Sequence, residues 1–364
     1  MRITRLELTN FRCYSELKLD FQPGVTTFIG DNGSGKTNIV EAIIYLSFLS
    51  SHRVSTNQPL ITLGEQQAII RAEIEQNSRT LQVDLEINAQ KTNRARINQN
   101  MVRSQREILG ACQSIYFSPE DLDLVRGDPT IRRDFLDKLL ITRAPRLAGV
   151  ISDYDRVIKQ RNTLLKTRAP SSSLLPWNEQ LVAIGATLIT ERINLIQSLN
   201  PWVNENYRNL DEVKDVGISY KSSTLNLTNN LEENKDLLTA RLQEVQYQEI
   251  ERGVTLVGPH RDDLHLQLGD FQAKGYASHG ESWSLAISLR LGAFNLLKNE
   301  GANPILILDD VFAELDTSRR LQLMNATQIE EQTIITAAVE SDLPTGLETQ
   351  RRYVYSGRVL ERGK

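Results

Sequence analysis

The chain has 364 residues, a formal net charge of −4, and 40% hydrophobic and 24% charged residues, a balance typical of a soluble globular protein of about two domains. Neither of its two cysteines lies in a C-x-x-C pair, so zinc and thiol-redox sites have no support and a reducing compartment fits. The first residues lack the apolar run of a signal peptide. The longest apolar stretch, 39–49, is too short to span a bilayer, and we expect a cytoplasmic protein.

Positive charge is concentrated in two stretches of this weakly acidic chain. Residues 131–170 contain ten lysines and arginines against four acids, and residues 91–106 contain five against none. Such polarity favours one face that contacts a polyanion. Solvated helix faces explain blocks of this kind equally well, so charge alone does not decide between the two.

The first third of the chain has the pattern of strands around a glycine-rich turn. Residues 1–30 predict strands that lead into glycines, and the apolar stretch 38–50 predicts the helix that follows. Residues 68–102 predict β hairpins, because apolar residues at 81, 83, 85 and 87 alternate strictly with polar ones.

The middle of the chain changes to helical spacing. Apolar residues three and four apart predict amphipathic helices at 147–158 and 177–199, joined by a loop at 169–173, and a third helix at about 235–251. Strand patterns return at 254–257, 305–308 and 334–335. We therefore predict an α/β fold with a β-rich N-terminal part. Lobe I combines 1–118 with 252–364, and the mainly helical lobe II, 119–251, is inserted into it.

A phosphate-binding loop stands between a predicted strand and a predicted helix. The run Gly30–Thr37 matches G-x-x-x-x-G-K-[ST] in the context that confirms this motif. Glycines let backbone N–H groups surround phosphates, and the following helix presents its positive end to them. Lys36 would reach the β- and γ-phosphates, and Thr37 would ligate Mg²⁺. The predicted nucleotide contacts in this loop are Gly30, Asp31, Asn32, Gly33, Ser34, Gly35, Lys36, Thr37 and Asn38.

Two acids end the buried strand predicted at 305–308. We expect Asp309 to hold Mg²⁺ and Asp310 to polarise the water that attacks ATP, with Lys36 as the second catalytic residue. The alternative is a pair of helix N-terminal caps.

Four further segments resemble motifs of ABC-type ATPases. Residues 277–281 resemble the signature motif, in which Ser278 and Gly280 would contact the γ-phosphate bound to a second copy; Ser278 and Glu281 also fit a capping box. Residues 313–316 resemble the D-loop, which places Asp316 at the partner. Gln113 is a candidate Q-loop glutamine and Thr336 a candidate switch residue.

Taken together, the motifs resemble the RecF family of bacterial recombination-mediator ATPases, related to the heads of Rad50 and SMC proteins. The resemblance runs nearly end to end, and Gly258–Asp263, Gly-Pro-His-Arg-Asp-Asp, is its most specific part. One departure lies in the signature motif, where many relatives carry glutamines at the places of His279 and Glu281. The other matching segments are 10–12, 30–38, 117–122, 132–137, 277–284 and 308–316.

The resemblance implies a weak, DNA-stimulated ATPase that acts as a switch. Such proteins bind ATP with Mg²⁺, form homodimers on ATP, and bind DNA at single-strand gaps or junctions without reading its sequence. They act with RecO and RecR in loading RecA, and so serve repair, replication restart and the SOS response. On this chain Arg12 becomes a candidate phosphate contact, or else a surface arginine. The candidate DNA contacts are Arg94, Arg96, Arg132 and Arg133, with a salt bridge to Asp134 or Asp137 as the rival role of the last two.

Three other functions remain open at this point. A transporter ATPase subunit would need a membrane partner and usually carries a switch histidine, whereas no histidine follows residue 279 here. An SMC- or Rad50-like head would flank long heptads, for which 120–250 is too short. A scaffold that binds nucleotide without hydrolysing it would not need both Asp309 and Asp310.

Overall fold

The computed structural model describes residues 1–76, 79–210, 214–224, 226–328 and 331–361, with no side-chain placement for 326–328. The chain divides into two compact units. The first joins Met1–Asp121 to the segment that starts at Ala286, and the second contains Leu122–Arg208 and the segment that ends at Leu285. Within the described ranges, no helix is long and apolar enough to cross a membrane.

The first unit contains an antiparallel sheet in the order β2-β1-β4-β5-β6-β7. The alternation predicted for the hairpins is confirmed, because Val83, Leu85 and Ile87 are buried while the residues between them are not. The strands are β1 (Arg2–Phe11), β2 (Tyr14–Asp20), β4 (Gln67–Gln76), β5 (Arg79–Asn88), β6 (Arg94–Ile97) and β7 (Asn100–Met101).

The second sheet of this unit has the order β15-β14-β3-β13-β12-β8, and all its pairs except β14–β15 are parallel. Its strands are β3 (Gly24–Ile29), β8 (Ser114–Phe117), β12 (Ile305–Asp309), β13 (Gln332–Ala337), β14 (Gln350–Tyr355) and β15 (Arg358–Glu361). β12 is buried along its whole length, as its uninterrupted apolar run predicted. Because β3, β12 and β13 are parallel, the loops that follow them leave from one edge of the sheet.

Helix α1 (Lys36–Phe48) follows β3 directly and is buried on nearly every side. α8 (His279–Asn299) begins in the second unit and ends in the first, and α9 (Thr317–Gln328) belongs to the first. Short 3₁₀ turns complete this unit at Gln58–Leu60, Gln105–Ile108, Pro119–Asp121, Phe312–Glu314 and Glu340–Asp342.

The second unit is mainly helical, as predicted for the insertion. Its helices are α2 (Leu122–Arg126), α3 (Pro129–Arg143), α4 (Leu147–Lys166), α5 (Ser171–Arg208), α6 (Leu231–Arg252) and α7 (Ala273–Tyr276). Pro129 occupies the first turn of α3, where its missing N–H costs nothing, and the Asn230 side chain caps α6. A three-stranded sheet, in the order β11-β10-β9, completes the unit with β9 (Val216–Lys221), β10 (Asp263–Leu268) and β11 (Phe271–Gln272).

The boundary between the units differs from the one expected from the sequence. We expected lobe I to resume at residue 252, but residues up to Leu285 pack within the helical unit. The reason is strand pairing: β10 is antiparallel to β9 over six residues, which ties the chain after Asp263 to the insertion.

The strand predicted at 254–257 is wrong. Its backbone is bound by side chains instead: the Thr255 N–H donates to Asn162 Oδ1 at 2.7 Å, and the Leu256 N–H donates to Glu249 Oε1 at 2.7 Å. The strand of this region is β10, whose alternating Leu264, Leu266 and Leu268 face the core.

Candidate active site

The loop between β3 and α1 has the backbone shape that phosphate binding requires. Gly33 and Gly35 have φ values of 81° and 116°, in the region that favours glycine. A Cβ at Gly35 would lie 2.7 Å from the Tyr14 hydroxyl oxygen and 2.9 Å from Cys13 Sγ, so no larger residue fits there. The tip, formed by Asp31 and Asn32, is exposed. The loop therefore presents backbone N–H groups at the start of α1, where the helix dipole favours anions.

Lys36 is 3% exposed and bends back over the loop. Its Nζ donates to the Gly30 carbonyl at 2.6 Å and to the Asp31 carbonyl at 3.3 Å, and it lies 3.9 Å from Asp310 Oδ2. The ammonium is thus held at the position that a phosphate bound by the loop would contact.

Asp309 ends β12 beside the start of α1. Its Oδ1 accepts hydrogen bonds from the hydroxyls of Thr336 at 2.6 Å and Thr37 at 3.3 Å. Burial, with the charge of Asp310 adding to it, raises the pKa of Asp309 to about 6. A buried carboxylate next to a threonine hydroxyl matches the oxygen ligands that Mg²⁺ takes in such sites.

Asp310 follows in a left-handed backbone conformation with φ 51°, a region in which aspartate is tolerated. Its N–H donates to Thr336 Oγ1 at 2.9 Å. Neither Asp309 nor Asp310 caps a helix here, because their carboxylates point to the loop and to Thr336. The arrangement supports the catalytic interpretation over the capping alternative.

At the edge of the sheet that follows β3 and β12, two buried polar atoms have no hydrogen-bond partner among the described residues: Ser34 Oγ and Asp310 Oδ1. Buried polar atoms are almost always paired, and a ligand bound between the P-loop and the acid pair would supply partners for these two. Thr37 and Asp309 offer oxygen atoms that could hold Mg²⁺, and Asp310 offers a carboxylate beside them. The P-loop N–H groups and Lys36 offer donors for phosphate. The residues fit Mg-ATP.

The segment that resembles the signature motif lies in the second unit, at the start of α8. Ser278 and Glu281 form a reciprocal cap: the Ser278 N–H donates to Glu281 Oε2 at 2.8 Å, and the Glu281 N–H donates to Ser278 Oγ at 3.2 Å. Lys214 lies 2.5 Å from Glu281 and, together with the cap, lowers the pKa of Glu281 to about 2. Gly280 therefore sits in the first turn of a well-capped helix, whose N-terminus suits an anion.

Asp316 is exposed at the start of α9. Its Oδ1 accepts the Arg319 N–H at 3.0 Å, and its carboxylate is paired with the Arg319 side chain. Within one copy of the chain, Asp316 thus acts as a helix cap.

Arg12 is bound to Glu41, which is fully buried in α1. Its Nε and Nη2 donate to the Glu41 carboxylate at 2.7 and 2.5 Å, and Nη1 donates to the Pro59 carbonyl at 2.8 Å. This bidentate pair favours a structural role over the phosphate contact expected for Arg12.

The expectation that Arg132 contacts DNA is not supported by its position. It is 3% exposed, and its Nε and Nη2 donate to Asp263, both at 2.8 Å. The rival expectation also named the wrong partners, since Asp137 pairs with Arg192. Arg133 is half-buried and donates to the Asp262 carbonyl at 2.9 Å. These arginines hold the second unit together.

Arg94 and Arg96 are both exposed on β6. Arg94 lines a groove of about 740 Å³ in the first unit, formed by 91–95 and 101–106. Lys91, Arg103 and Arg106 also line the groove, and no acid does. This basic groove is the feature that the charge pattern of 91–106 indicated.

Gln113 does not lie where a Q-loop residue must. It precedes β8, and because β8 is parallel to β12, its start lies at the edge opposite Asp309. Ser118 and Glu120 follow β8 and therefore lie at the same edge of the sheet as Asp309. The charge of Glu120 is one of the causes that raise the pKa of Asp309. Glu120 was not among the predicted site residues, although its position just after a short apolar strand could have indicated it.

The Gly258–Asp263 segment is a structural centre of the second unit. His260 Nδ1 lies 2.8 Å from the Tyr154 hydroxyl oxygen, and burial lowers the pKa of His260 to about 4. Asp262 accepts from Tyr220 at 2.7 Å and Ser222 at 2.6 Å. A further bond links the Pro259 carbonyl to Arg192 at 2.7 Å. These bonds give the polar run a structural role within the second unit.

The geometry defines a class. The first unit contains a P-loop with an acid pair on the parallel strand beside it, and the second contains the start of a capped helix that resembles the signature motif. These are features of an ATP-binding ATPase of the ABC type. The sequence profile described as the RecF/RecN/SMC N terminal domain matches residues 2–353. The structure of an SMC head bound to the C-winged helix domain of ScpA has the same fold, with a TM-score of 0.58 and 15% identity over 100% of this chain and 98% of that one.

Closer relatives identify the family. The DNA replication and repair protein RecF of Streptomyces avermitilis is 48% identical over 100% of both chains, and that of Rhodococcus erythropolis is 46% identical over 96% and 93%. A solved structure of the recombination mediator protein RecF with ATPrS, in the RecFOR pathway, has a TM-score of 0.91 and 26% identity over 100% and 98%. This chain belongs to the RecF family.

Proposed function

We propose that this RecF-family ATPase is a DNA-binding switch of recombinational repair and replication restart, controlled by ATP. The observation that carries the proposal is the active-site edge, where Lys36, Thr37, Asp309 and Asp310 come together with unpartnered polar atoms among them. Mg²⁺ would be held by Thr37 and Asp309. It would neutralise developing charge on the phosphates while Asp310 orients the attacking water.

Each nucleotide site would be completed by a second copy of the chain. The γ-phosphate on the P-loop of one copy would accept hydrogen bonds from the capped helix N-terminus at Ser278 and Gly280 of the other, with Asp316 at the same junction. Because Ser278 and Glu281 already fix that helix start, the positive end of the helix dipole is held in place for an anion. Weak hydrolysis, stimulated by DNA, would then release the dimer.

The mass of the protein in solution, by light scattering with and without ATP and Mg²⁺, tests this proposal. We expect ATP to double the mass of the unmodified chain and to leave Ser278→Arg single, because the larger side chain blocks the partner's phosphate. Nucleotide binding by the variant, measured separately, should be unchanged. If ATP binds but the mass stays single even with DNA present, shared sites are excluded.

We further propose that the basic groove contacts DNA. Lys91, Arg94 and Arg103 line the groove, and its lining contains no acid. Arg96 lies beside them on β6, where Glu86 and Asp84 of β5 stand opposite Arg94 and Arg96. Contacts to phosphate carry no base code, so binding should be independent of sequence and sensitive to salt.

Substitution of groove residues tests this surface. Arg94→Gln with Arg103→Gln should weaken DNA binding by the ATP-bound protein, and each phosphate contact removed should reduce the salt slope by about 0.9. Arg358→Gln, an exposed arginine in the same unit, is the matched control. An unchanged slope in the double variant would rule out the groove.

Family relationship supports partners as well. RecO and RecR would act with the DNA-bound dimer in loading RecA at single-strand gaps, as part of the response to DNA damage. A pull-down of this protein with purified RecR, in the presence of DNA and ATP, tests whether the contact with RecR needs the dimer. The Ser278→Arg variant is the control.

A further inference from the structure

Two large aromatic rings stand exposed on the segment that leads into the signature helix. Phe271 is 61% exposed and Tyr276 is 72% exposed, and their rings stack with centroids 5.4 Å apart and planes 21° apart. In the described part of the chain, the other stacked or edge-on ring contacts each include a mostly buried ring. A stacked pair of solvent-facing rings is unusual and marks an interaction surface.

The segment is held in place, so the rings are not on a loose loop. Ala273, between them, is 2% exposed, and its carbonyl accepts the Ala277 N–H at 2.9 Å. Lys274 Nζ donates to the Gly127 carbonyl at 2.9 Å. Gly275 makes the turn with φ 89°. Rigid aromatic side chains lose little entropy on association, which is why they dominate interface energies.

We propose that the Phe271–Tyr276 ring pair packs against a second copy of this chain when ATP joins the two. The inference rests on the proposed function, because Tyr276 is two residues before Ser278, which would meet the partner's nucleotide. If Ser278 contacts the nucleotide of the partner, the neighbouring surface that carries Tyr276 would also reach the partner. The rings would supply the apolar part of an interface whose other contacts are polar.

The test is the dissociation constant of the dimer in ATP and Mg²⁺, from light scattering over a range of protein concentrations. For Phe271→Ser with Tyr276→Ser we expect a value about ten- to a hundredfold higher than for the unmodified chain. The dissociation constant of each single variant should lie between that of the unmodified chain and that of the double variant. ATP affinity at low protein concentration should be unchanged, because neither ring lies in the P-loop unit.

Tyr247→Ser is the matched control, since Tyr247 is a 79% exposed tyrosine on α6 of the same unit. If the double variant dimerises as tightly as Tyr247→Ser while Ser278→Arg stays single, the ring pair is not in the interface and the proposed function stands. If the unmodified chain does not dimerise with ATP, the proposed function and this inference fail together. Thermal unfolding of all variants checks that the exposed substitutions leave the fold intact.

Discussion

The active-site edge and the Gly258–Asp263 segment are both dense in buried polar groups, yet they differ in how those groups are satisfied. At the edge, Ser34 Oγ and Asp310 Oδ1 lack partners among the described residues. In the segment, Asp262 and His260 are bonded to side chains of their own unit.

This contrast separates ligand binding from structure. Resemblance to the family alone does not make this separation, because both runs are among the segments that carry it. Buried groups that are paired internally fix a fold, whereas groups left unpaired keep bonding capacity for something that arrives. The four predictions below probe the two kinds of site, from the largest expected effect to the smallest.

On the structural side, we expect Arg161→Met to lower the free energy of unfolding by about 3–5 kcal/mol, because it removes the ion-pair partner of the buried Glu249 carboxyl group. Arg161 and Glu249 are 1% and 0% exposed and 2.6 Å apart. Denaturant unfolding measures the loss. The control is Arg156→Met in the same helix, whose arginine is 69% exposed and should matter by less than about 1 kcal/mol. Equal losses of stability in Arg161→Met and Arg156→Met would contradict a structural role for the buried pair.

On the ligand side, Lys36→Ala should slow ATP hydrolysis by about 10²–10³-fold while thermal unfolding stays close to that of the unmodified chain. The reason is that the Nζ is placed for the phosphate, and within the chain it is held by hydrogen bonds to two loop carbonyls and a 3.9 Å contact with Asp310. Steady-state phosphate release measures the rate. Lys18→Ala, at a 64% exposed position on β2, should leave it unchanged. A large loss of stability in Lys36→Ala would make the lysine structural.

Thr336→Val tests the link between the two acids. The valine keeps the shape but removes the bonds to Asp309 Oδ1 and from the Asp310 N–H. We expect the Mg²⁺ concentration for half-maximal hydrolysis to rise about 10- to 100-fold, with ATP binding in the absence of Mg²⁺ retained. Thr336→Ser, which keeps the hydroxyl, should restore the Mg²⁺ requirement. Failure of that rescue would assign Thr336 to packing alone.

The pKa of Asp309 gives the smallest effect. Because it is raised from 3.8 to about 6, the carboxyl carries a proton at lower pH, and Mg²⁺ must displace that proton. The Mg²⁺ concentration for half-maximal hydrolysis should therefore increase by up to about tenfold for each pH unit below 6, and saturating Mg²⁺ should recover much of the rate. A Mg²⁺ requirement that is flat between pH 5 and 7 would contradict the raised pKa.

Local patterns in the sequence predicted what depends on neighbours along the chain. The P-loop works through fixed spacing from Gly30 to Thr37, and the buried strand at 305–308 is one uninterrupted run, so both could be read directly. The helices of the insertion followed from their apolar spacing.

What the sequence did not reveal depends on which strands lie side by side. Thr336 lies beside Asp309 because β13 is parallel to β12 in that register. Gln113 does not fit the Q-loop position because it precedes β8 instead of following it. Arg132 could not be separated from a DNA contact, since its partner Asp263 lies 131 residues away. The prediction of a strand at 254–257 was wrong because side chains, and not a neighbouring strand, accept the hydrogen bonds of its backbone.

The two carbonyls that hold the Lys36 ammonium have a consequence for ATP binding. Two of its three N–H donors are engaged inside the loop, at 2.6 and 3.3 Å, which leaves one donor for an incoming phosphate. Any further hydrogen bond from Lys36 to a phosphate would replace a loop bond and would add to affinity only the difference between the two. The loop thus orders a flexible side chain before the nucleotide arrives, and less conformational entropy is lost when the nucleotide binds.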